Sequence, residues 1–402
     1  MKNENHFYPA DVLLPKKDFE KWAVIACDQY TSQPEYWDEL ENNINDTPSS
    51  LRIILPEARL GADDDKKISE INKTMQEYLQ SDVFNTYNNT FVYVEREITG
   101  GKIRRGIVGL IDLEDYDYTK HSRSLIRATE ATVLERIPPR VKIRKDAPLE
   151  LPHVMLLADD KNKTVIEPLS VLKNDFEKLY DFELCKNSGH ICGYAVNKAA
   201  ALQIQNAVSK LIDTDADGLL FAVGDGNHSL ACAKECYKLN PNPLNRYALV
   251  EVVNIHDESL IFEPIYRTVF GCEPEALIDC FVKYCGGEYF GADAQKFQCV
   301  FGENTRTVSV KPTSKLCVGT LQDFLDKYAL ENGNIKIDYI HGADVTAELA
   351  KSPKTVGFIF DGMHKDELFD AIKQDGSLPK KTFSMGHASD KRFYIEARKI
   401  KP

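Results

Sequence analysis

Residues 218–229 read Gly-Leu-Leu-Phe-Ala-Val-Gly-Asp-Gly-Asn-His-Ser. The first six residues form a short apolar run, which is typical of a buried strand. Gly224, Asp225 and Gly226 then form a turn, and a helix is expected over residues 229–239. Glycines let the backbone adopt positive φ and approach a ligand closely. Because the first N–H groups of a helix lack partners inside it and its dipole attracts anions, this order of elements predicts a phosphate site.

The side chains of the turn indicate how a phosphate could be bound. Asn227, His228 and Ser229 can donate hydrogen bonds to a phosphate. Asp225 alone would repel it, so its predicted role is to hold a divalent cation such as Mg²⁺ that bridges phosphate oxygens, or to orient a substrate hydroxyl. The pattern leaves a second interpretation open, in which Asp225 and Asn227 only cap the helix. Neither a Walker loop nor a G-x-G-x-x-G turn after a strand occurs.

Strands and helices interleave along the rest of the chain, which predicts a mixed α/β (α+β) fold. We expect helices at 34–43, 64–81, 198–212 and 365–374, hairpins at 91–113 and 154–167, and a strand at 355–360. Asn197 is the expected cap of the third helix. Pro138-Pro139 should prevent a continuous helix within the arginine-rich stretch 116–146. Three domains are predicted: an N-terminal α/β domain (1–115), a core that holds the turn (116–270), and a C-terminal α/β domain (271–402) whose last loop closes on the site.

Composition excludes several classes of function. The net charge is −12. Because nonspecific binding to nucleic acid needs a basic surface, this charge argues against a protein of that class. No apolar run is long enough for a membrane span, and residues 1–11 lack the pattern of a signal peptide. The ten cysteines are therefore expected to be free thiols in a reducing cytoplasm. The pairs His190/Cys192 and Cys232/Cys236 have ligand-like spacing, but neither has a second matching pair, so we interpret them as small buried hydrophobes.

Several segments resemble a known family. Residues 224–231 resemble the D-G-x-H-R-x-x-A turn of the ParB/sulfiredoxin-like superfamily, which binds phosphate at a helix start. The whole chain resembles a bacterial family of unknown function that is associated with free-serine kinases, some of them pyrophosphate-dependent. Ile126–Thr132 is similar to its R-x-H-E-x-T segment, Ile261–Arg267 to its I-L-P-T-H-R strand, and Leu378–Ser384 to its M-P-x-K-S-T close.

The resemblance implies a ParB/sulfiredoxin-like core and transfer of a phosphoryl group from pyrophosphate, ADP or ATP to free serine. Glu130 would be the base, His228 would donate to a phosphoryl oxygen, and Asp225 would hold Mg²⁺ or substrate. The implied phosphate-binding residues come from the turn, the arginine-rich stretch and the C-terminal loop: Gly226, Asn227, His228, Ser229, Arg127, Arg140, Lys380, Lys381 and Thr382.

Two departures from the family pattern bear on which residues bind the phosphate. Thr129 stands where the family commonly has His, and Ser229 stands where it commonly has Arg. Without that arginine, the negative charge of a bound phosphate must be neutralised by other basic residues. The candidates are Arg127/Arg136/Arg140 and Lys380/Lys381.

Structural interpretations of the same residues stay open. Glu130 could form an ion pair with Arg127 or Arg136, His228 could be a capping or core histidine, and the lysine pair could lie in a solvated loop. Asp28 is a candidate partner for the substrate ammonium. Functions of other classes are a nucleotide-hydrolysing switch of the ParB kind and a catalytically silent small-molecule-binding protein. The oligomeric state is not predicted.

Overall fold

The structure is a computed structural model that describes residues 5–132, 137–212 and 218–401. Its fold is mixed α/β, as predicted. The helices of the described residues are α1 (Phe19–Trp22), α2 (Pro34–Ile44), α3 (Asp64–Gln80), α4 (Ile137–Arg144), α5 (Glu167–Leu172), α6 (Lys198–Leu211), α7 (Asn227–Leu239), α8 (Pro274–Tyr284), α9 (Cys317–Glu331), α10 (Ala343–Leu349) and α11 (Glu367–Asp375).

The strands of the described residues are β1 (Ala10–Pro15), β2 (Val24–Ile25), β3 (Phe84–Thr90), β4 (Val92–Ile98), β5 (Lys102–Asp112), β6 (Tyr116–Asp117), β7 (Ile126–Ala128), β8 (Leu149–Glu150), β9 (Met155–Ala158), β10 (Glu177–Glu183), β11 (His190–Ala195), β12 (Phe221–Asp225), β13 (Tyr247–Asn254), β14 (Phe262–Phe270), β15 (Gln295–Phe301), β16 (Asn304–Val310), β17 (Lys336–His341), β18 (Thr355–Phe360), β19 (Phe383–Met385), β20 (Phe393–Tyr394) and β21 (Arg398–Lys399).

The chain divides into two compact units. The large unit comprises Met1–Ala128, Thr132–Leu260 and Gly386–Pro402, and the small unit comprises Thr129–Ala131 and Ile261–Met385. Boundaries after residues 115 and 270 were predicted instead. The structure differs because strands from both sides of residue 115, such as β5 and β13, pair in one sheet.

The large unit is built on a mixed sheet whose described strands run in the order β10-β11-β4-β5-β13-β9-β12-β7-β6. β12 pairs in parallel with β7 and antiparallel with β9. The side chains of Leu156, Val223 and Val252 in its centre have no exposed surface. A strand buried on both faces explains why its sequence is a continuous apolar run. The sheet therefore fixes β12 rigidly, and β12 positions the turn that follows it.

The small unit holds a six-stranded sheet in the order β16-β15-β18-β14-β17, with β19 paired to β14. Its core contains Phe281 of α8, whose ring lies 5.0 Å from that of Phe297 and 5.3 Å from that of Phe324 between ring centroids. These aromatic contacts hold α8 and α9 against the sheet.

Most predicted elements are present. The helices expected at 34–43 and 64–81 and the hairpin at 91–113 form with end shifts of one or two residues. The Asn197 side chain accepts a hydrogen bond from Ala200 N at 3.0 Å, which confirms it as the cap of α6. Within the described residues, no helix has the length and apolar character needed to cross a bilayer.

One local prediction was wrong. No hairpin forms over residues 154–167: β9 pairs with β12 and β13, and α5 begins at Glu167. The Asp160 carboxylate accepts from Thr164 N and Val165 N and thereby fixes a turn that leads into a helix. In the arginine-rich stretch, β6 and β7 precede α4, and Pro138 and Pro139 lie among the first described residues of α4. The described part of the stretch therefore forms no continuous helix, as predicted. Proline is tolerated in a first helical turn because its missing N–H would have no helical partner there.

Candidate functional site

The turn after β12 has the geometry that its glycines predict. Gly226 lies in the left-handed region, with φ 79° and ψ 27°, and α7 begins at the next residue. A Cβ at this position would lie 3.1 Å from Val154 Cα, so both the conformation and the space require glycine. Ser229 N and Leu230 N each bond to Gly226 O at 3.0 Å. The helix therefore starts directly at the end of the strand, two residues earlier than predicted.

Asp225 is paired with a lysine that sequence reasoning missed. Its Oδ2 lies 3.2 Å from Lys391 Nζ, and its Oδ1 accepts from Gly226 N at 3.0 Å. Lys391 comes from the last segment of the large unit, where no local pattern marks it. Among the described residues, no set of three metal-ligating side chains that includes Asp225 converges. The role of Asp225 in binding Mg²⁺ therefore stays a prediction.

Ser229 lies at one end of a chain of hydrogen bonds. His153 Nε2 lies 2.9 Å from Ser229 Oγ, and His153 Nδ1 lies 2.8 Å from Tyr394 Oη, which also accepts from Cys27 N at 3.2 Å. Burial holds the pKa of Tyr394 well above its usual range, so the phenol keeps its proton. The bond to Ser229 is satisfied when Nε2 of His153 carries a proton and donates it to Ser229 Oγ. This assignment directs the Ser229 hydroxyl to act as a donor.

Asp28 belongs to the same cluster. Burial raises the pKa of its carboxyl group, but the charge of His153, a hydrogen bond from Gln29 and the charge of Lys391 outweigh burial. The net pKa lies below its ordinary value, so Asp28 is ionised at neutral pH. The sequence offered Asp28 only as a partner for a substrate ammonium. His153, Lys391 and Tyr394 were missed, since each lies far along the chain from the turn.

A cavity of about 160 Å³ in the large unit is lined by Ser229, His153 and Tyr394 together with Arg140. Most of its other walls are apolar side chains such as Ile53. Arg140 forms an ion pair with Glu57. One predicted phosphate-binding arginine therefore lines the same cavity as the predicted phosphate-binding serine.

The other predicted arginines are placed differently. Arg127 is buried, and its guanidinium donates to Ser124 O at 2.8 Å and to Gly218 O at 3.2 Å. Gly218 precedes β12, whereas the turn follows it. These two bonds lie at the opposite end of the strand from the turn, and the phosphate-binding role of Arg127 stays a prediction. Arg136 lies outside the described residues. The Asn227 amide donates to Val223 O at 3.4 Å, and the half-buried His228 lies in the first turn of α7.

In the small unit, Glu130 lies beside the C-terminal loop. Glu130 forms a parallel bridge with Leu378, supported by hydrogen bonds from Leu378 N to Thr129 O (2.7 Å) and from Ala131 N to Leu378 O (3.2 Å). Lys381 N donates to Glu130 Oε1 at 3.1 Å. Two segments that were singled out separately in the sequence thus meet at Glu130.

Arg267 organises this loop. Its buried guanidinium donates to the backbone oxygens of Lys381 (2.9 Å) and Lys380 (3.1 Å). Burial lowers the pKa of Arg267 to about 10, against the opposing charges of Tyr339 and Glu130, so it stays charged at neutral pH. Arg267 ends the Ile261–Arg267 segment that carried the resemblance, which was the signal that sequence reasoning did not use.

The loop side chains differ in what they can bind. Lys380 and Lys381 are exposed, and Lys380 Nζ lies 5.1 Å above the Tyr339 ring. Thr382 is buried, and its hydroxyl donates to Pro379 O at 2.7 Å. The predicted phosphate-binding role therefore fits the lysines better than Thr382, whose proton is already used within the loop. Thr382 also lines a polar cavity of about 960 Å³ in the small unit.

No curated protein matches the sequence. The chain is similar to a structure of a free serine kinase in complex with AMP, at 12% identity and a TM-score of 0.40, covering 73% of this chain and 90% of the other. It is also similar to a conserved hypothetical protein from Pyrococcus furiosus (13% identity, TM-score 0.38, 73% of this chain and 94% of the other). A third structure, a C-terminally truncated SbnI from Staphylococcus aureus, gives 10% identity and a TM-score of 0.36, covering 72% of this chain and 82% of the other.

A family model matches a much longer stretch of sequence than any single motif. The matched family is described as "Protein of unknown function (DUF1015)", and the match runs from residue 7 to residue 328. It includes the strand, turn and helix at residues 218–239 and the segment around Glu130. The chain therefore belongs to the DUF1015 family of proteins of unknown function.

Proposed function

We propose that this protein is a phosphotransferase that transfers a phosphoryl group from pyrophosphate, ADP or ATP to the hydroxyl of free L-serine, giving O-phosphoserine. The observation that carries the proposal is the assembly around Glu130 in the small unit. A half-buried carboxylate is held by the backbone N–H of Lys381, next to a loop that presents two exposed lysines. Glu130, Arg267 and Lys381 come from the three segments that carried the resemblance.

The residues of this assembly match the needs of phosphoryl transfer to an alcohol. The reaction requires positioned reactants, neutralised phosphate oxygens and an acceptor for the hydroxyl proton. Glu130 supplies the acceptor, and Lys380 and Lys381 supply positive charge. Basic surroundings favour the ionised form of a carboxyl group, which weakens Glu130 as a base but suits it to orient the serine hydroxyl.

The large unit contributes donor binding in this proposal. The N-terminus of α7 follows a left-handed glycine, and the Ser229 hydroxyl is directed to donate by His153. Helix N-termini of this kind bind anions. The cavity that Ser229 shares with Arg140 has about 160 Å³, which is small beside the roughly 300–1,000 Å³ of sites for drug-sized ligands. Asn227 and His228 do not line this cavity, so its size bears only on a group held by Ser229 and Arg140. For such a group, the size favours a compact donor such as pyrophosphate over a nucleotide.

Mg²⁺ is the proposed cofactor. Magnesium is usually held by one or two carboxylates together with phosphate oxygens of the substrate. Asp225 and Asp28 fit that requirement, since both are carboxylates that feel the charge of Lys391. Lys391 supplies only one positive charge for the two of them. A bound Mg²⁺ would neutralise the phosphate oxygens of the donor.

The experiment is a donor and acceptor screen with the purified protein. Serine is offered with pyrophosphate, ADP or ATP and Mg²⁺, and phosphoserine is measured by mass spectrometry, with threonine and homoserine as matched acceptors. We expect phosphoserine with at least one donor, and pyrophosphate to be the best of the three. Donor hydrolysis without phosphoserine would overturn the proposal in favour of a nucleotide-hydrolysing switch. Donor binding without any turnover would overturn it in favour of a silent binding protein.

A further inference from the structure

One face of the edge hairpin in the large unit gathers three metal-ligating side chains. β10 is the first strand of the large sheet, and β11 is its neighbour. His190 and Cys192 are two residues apart on β11, so their side chains point to the same face. Asp181 of β10 is the register partner of Cys192. The sequence pair that was interpreted as structural therefore acquires a third donor from the next strand.

The donor atoms lie close together. His190 Nε2 is 2.8 Å and Cys192 Sγ is 3.3 Å from Asp181 Oδ1, and Cys192 Sγ is 3.7 Å from His190 Nδ1. Ligands of a tetrahedral zinc ion are about 3.3–3.7 Å apart, given zinc–ligand bonds of about 2.0–2.3 Å. One ligand atom from each of the three side chains can be chosen so that all three lie within 4.8 Å of one another. Within the part of the chain that the structure describes, this is the one set of three such side chains with converging donors.

The face is accessible from solvent. About a third of the His190 side chain (34%) and of the Asp181 side chain (36%) is exposed. The neighbours of Asp181 along β10, Tyr180 and Phe182, are buried on the opposite face. An ion can therefore reach the three donors without opening the core.

We propose that Asp181, His190 and Cys192 form a zinc site with three protein ligands and a fourth position open to water. A thiolate, an imidazole and a carboxylate form a set that suits zinc, whereas Mg²⁺ and Ca²⁺ prefer oxygen ligands alone. The site lies outside the residues to which phosphoryl transfer is assigned.

Zinc binding replaces the thiol proton of Cys192. Burial, then the hydrogen bond to Asp181, raises the pKa of Cys192 to about 11, so the thiol is protonated at neutral pH without metal. On binding, the S–H bond breaks, the Zn–S bond forms and the proton passes to solvent. Lys178 Nζ lies 2.5 Å from Asp181 Oδ2 and competes with the ion for this carboxylate.

The test is a zinc titration of the full-length chain after removal of metal by a chelator. Zinc is competed against a chromogenic indicator, and cobalt(II) is added separately to reveal the thiolate-to-metal charge-transfer band. We expect one tight equivalent and the band in the parent protein. Cys192→Ser and His190→Ala should each weaken zinc binding by about 100-fold or more, since even indirect partners of a metal are worth about 10–100-fold.

Two controls keep the result interpretable. Cys280→Ser removes an exposed thiol outside the hairpin and should change neither zinc affinity nor the cobalt band. Lys178→Ala should keep the site and strengthen it, because it removes the competing cation. Equal zinc affinity in the parent and in Cys192→Ser would overturn the proposal, as would a cobalt band that persists in Cys192→Ser. An unchanged melting curve of each metal-free variant shows that folding is not the cause.

Discussion

Lysines interact differently with two carboxylates, Asp225 in the large unit and Glu130 in the small unit. Asp225 forms a side-chain ion pair with Lys391, and both side chains are about four-fifths covered (21% and 19% exposed). Glu130 accepts the backbone N–H of Lys381, which leaves the lysine side chain exposed. Drawing Lys391 toward a phosphate would leave Asp225 uncompensated, whereas Lys381 can bind an anion without that cost. A lysine held only through its backbone N–H therefore keeps its side-chain charge available for an anion, whereas Lys391 does not.

The largest effect is expected at Glu130. Glu130→Gln keeps the shape of the side chain and should fold normally but lose roughly 10²–10⁴-fold in kcat, the usual value of a positioned acid or base. The measurement is steady-state phosphoserine formation. Glu263→Gln, an exposed change in the same unit, is the matched control and should behave like the parent. Unchanged kcat in Glu130→Gln would assign the carboxylate to a purely structural role.

The next effect is expected at the exposed lysine. Lys381→Ala should raise the donor KM or lower kcat by tenfold or more, because a charge-assisted hydrogen bond contributes about 1.5–3 kcal/mol. Lys296→Ala removes an exposed lysine of β15 in the same unit and serves as the control. If both variants have the donor KM and kcat of the parent, Lys381 does not neutralise the donor. The difference between Lys391 and Lys381 would then have no functional consequence.

Arg127 should affect stability instead of kinetics. Arg127→Ala leaves the carbonyls of Ser124 and Gly218 without these donors, which should cost about 1–3 kcal/mol of unfolding free energy. Urea denaturation measures this cost, and the donor KM of the folded variant should be unchanged. A raised donor KM at parental stability would restore the phosphate-binding role that the sequence predicted for this arginine.

A smaller, pH-dependent effect is expected at Asp28. The pKa of Asp28 lies below its ordinary value in the folded chain, so its charge stabilises the fold above the unfolded pKa of about 3.9 and this contribution is lost as pH falls further. Asp28→Asn should therefore be less stable than the parent at pH 7, and the two should converge in acid. Melting temperatures of both proteins across pH 2–7 measure the difference, and a gap that stays constant with pH would contradict the assignment.

The sequence predicted features that depend on neighbouring residues. The apolar run and glycines of residues 218–226 and the cap at Asn197 act within a few positions, so the mixed α/β class and the family resemblance were both confirmed. The hairpin at 154–167 was wrong because β9 pairs with distant strands, and a short apolar run does not reveal its partner. The ParB/sulfiredoxin-like core stays a prediction.

The site was only partly predictable for the same physical reason. His153, Lys391 and Tyr394 reach the turn from distant segments through tertiary contacts, and no local spacing marks them. Asp181 meets Cys192 only through the register of two strands. Arg267 could have been found, since it closes a segment whose resemblance had already been noted.

In the proposed function, the turn after β12 binds the donor and Glu130 acts on the serine hydroxyl. The most direct test measures the donor Kd by calorimetry, and kcat, for Glu130→Gln and His228→Ala. Glu130→Gln should bind the donor like the parent but turn over poorly. His228→Ala should weaken donor binding by tenfold or more, as expected for one lost charge-assisted contact. Loss of donor binding in Glu130→Gln, or parental donor binding in His228→Ala, would contradict it.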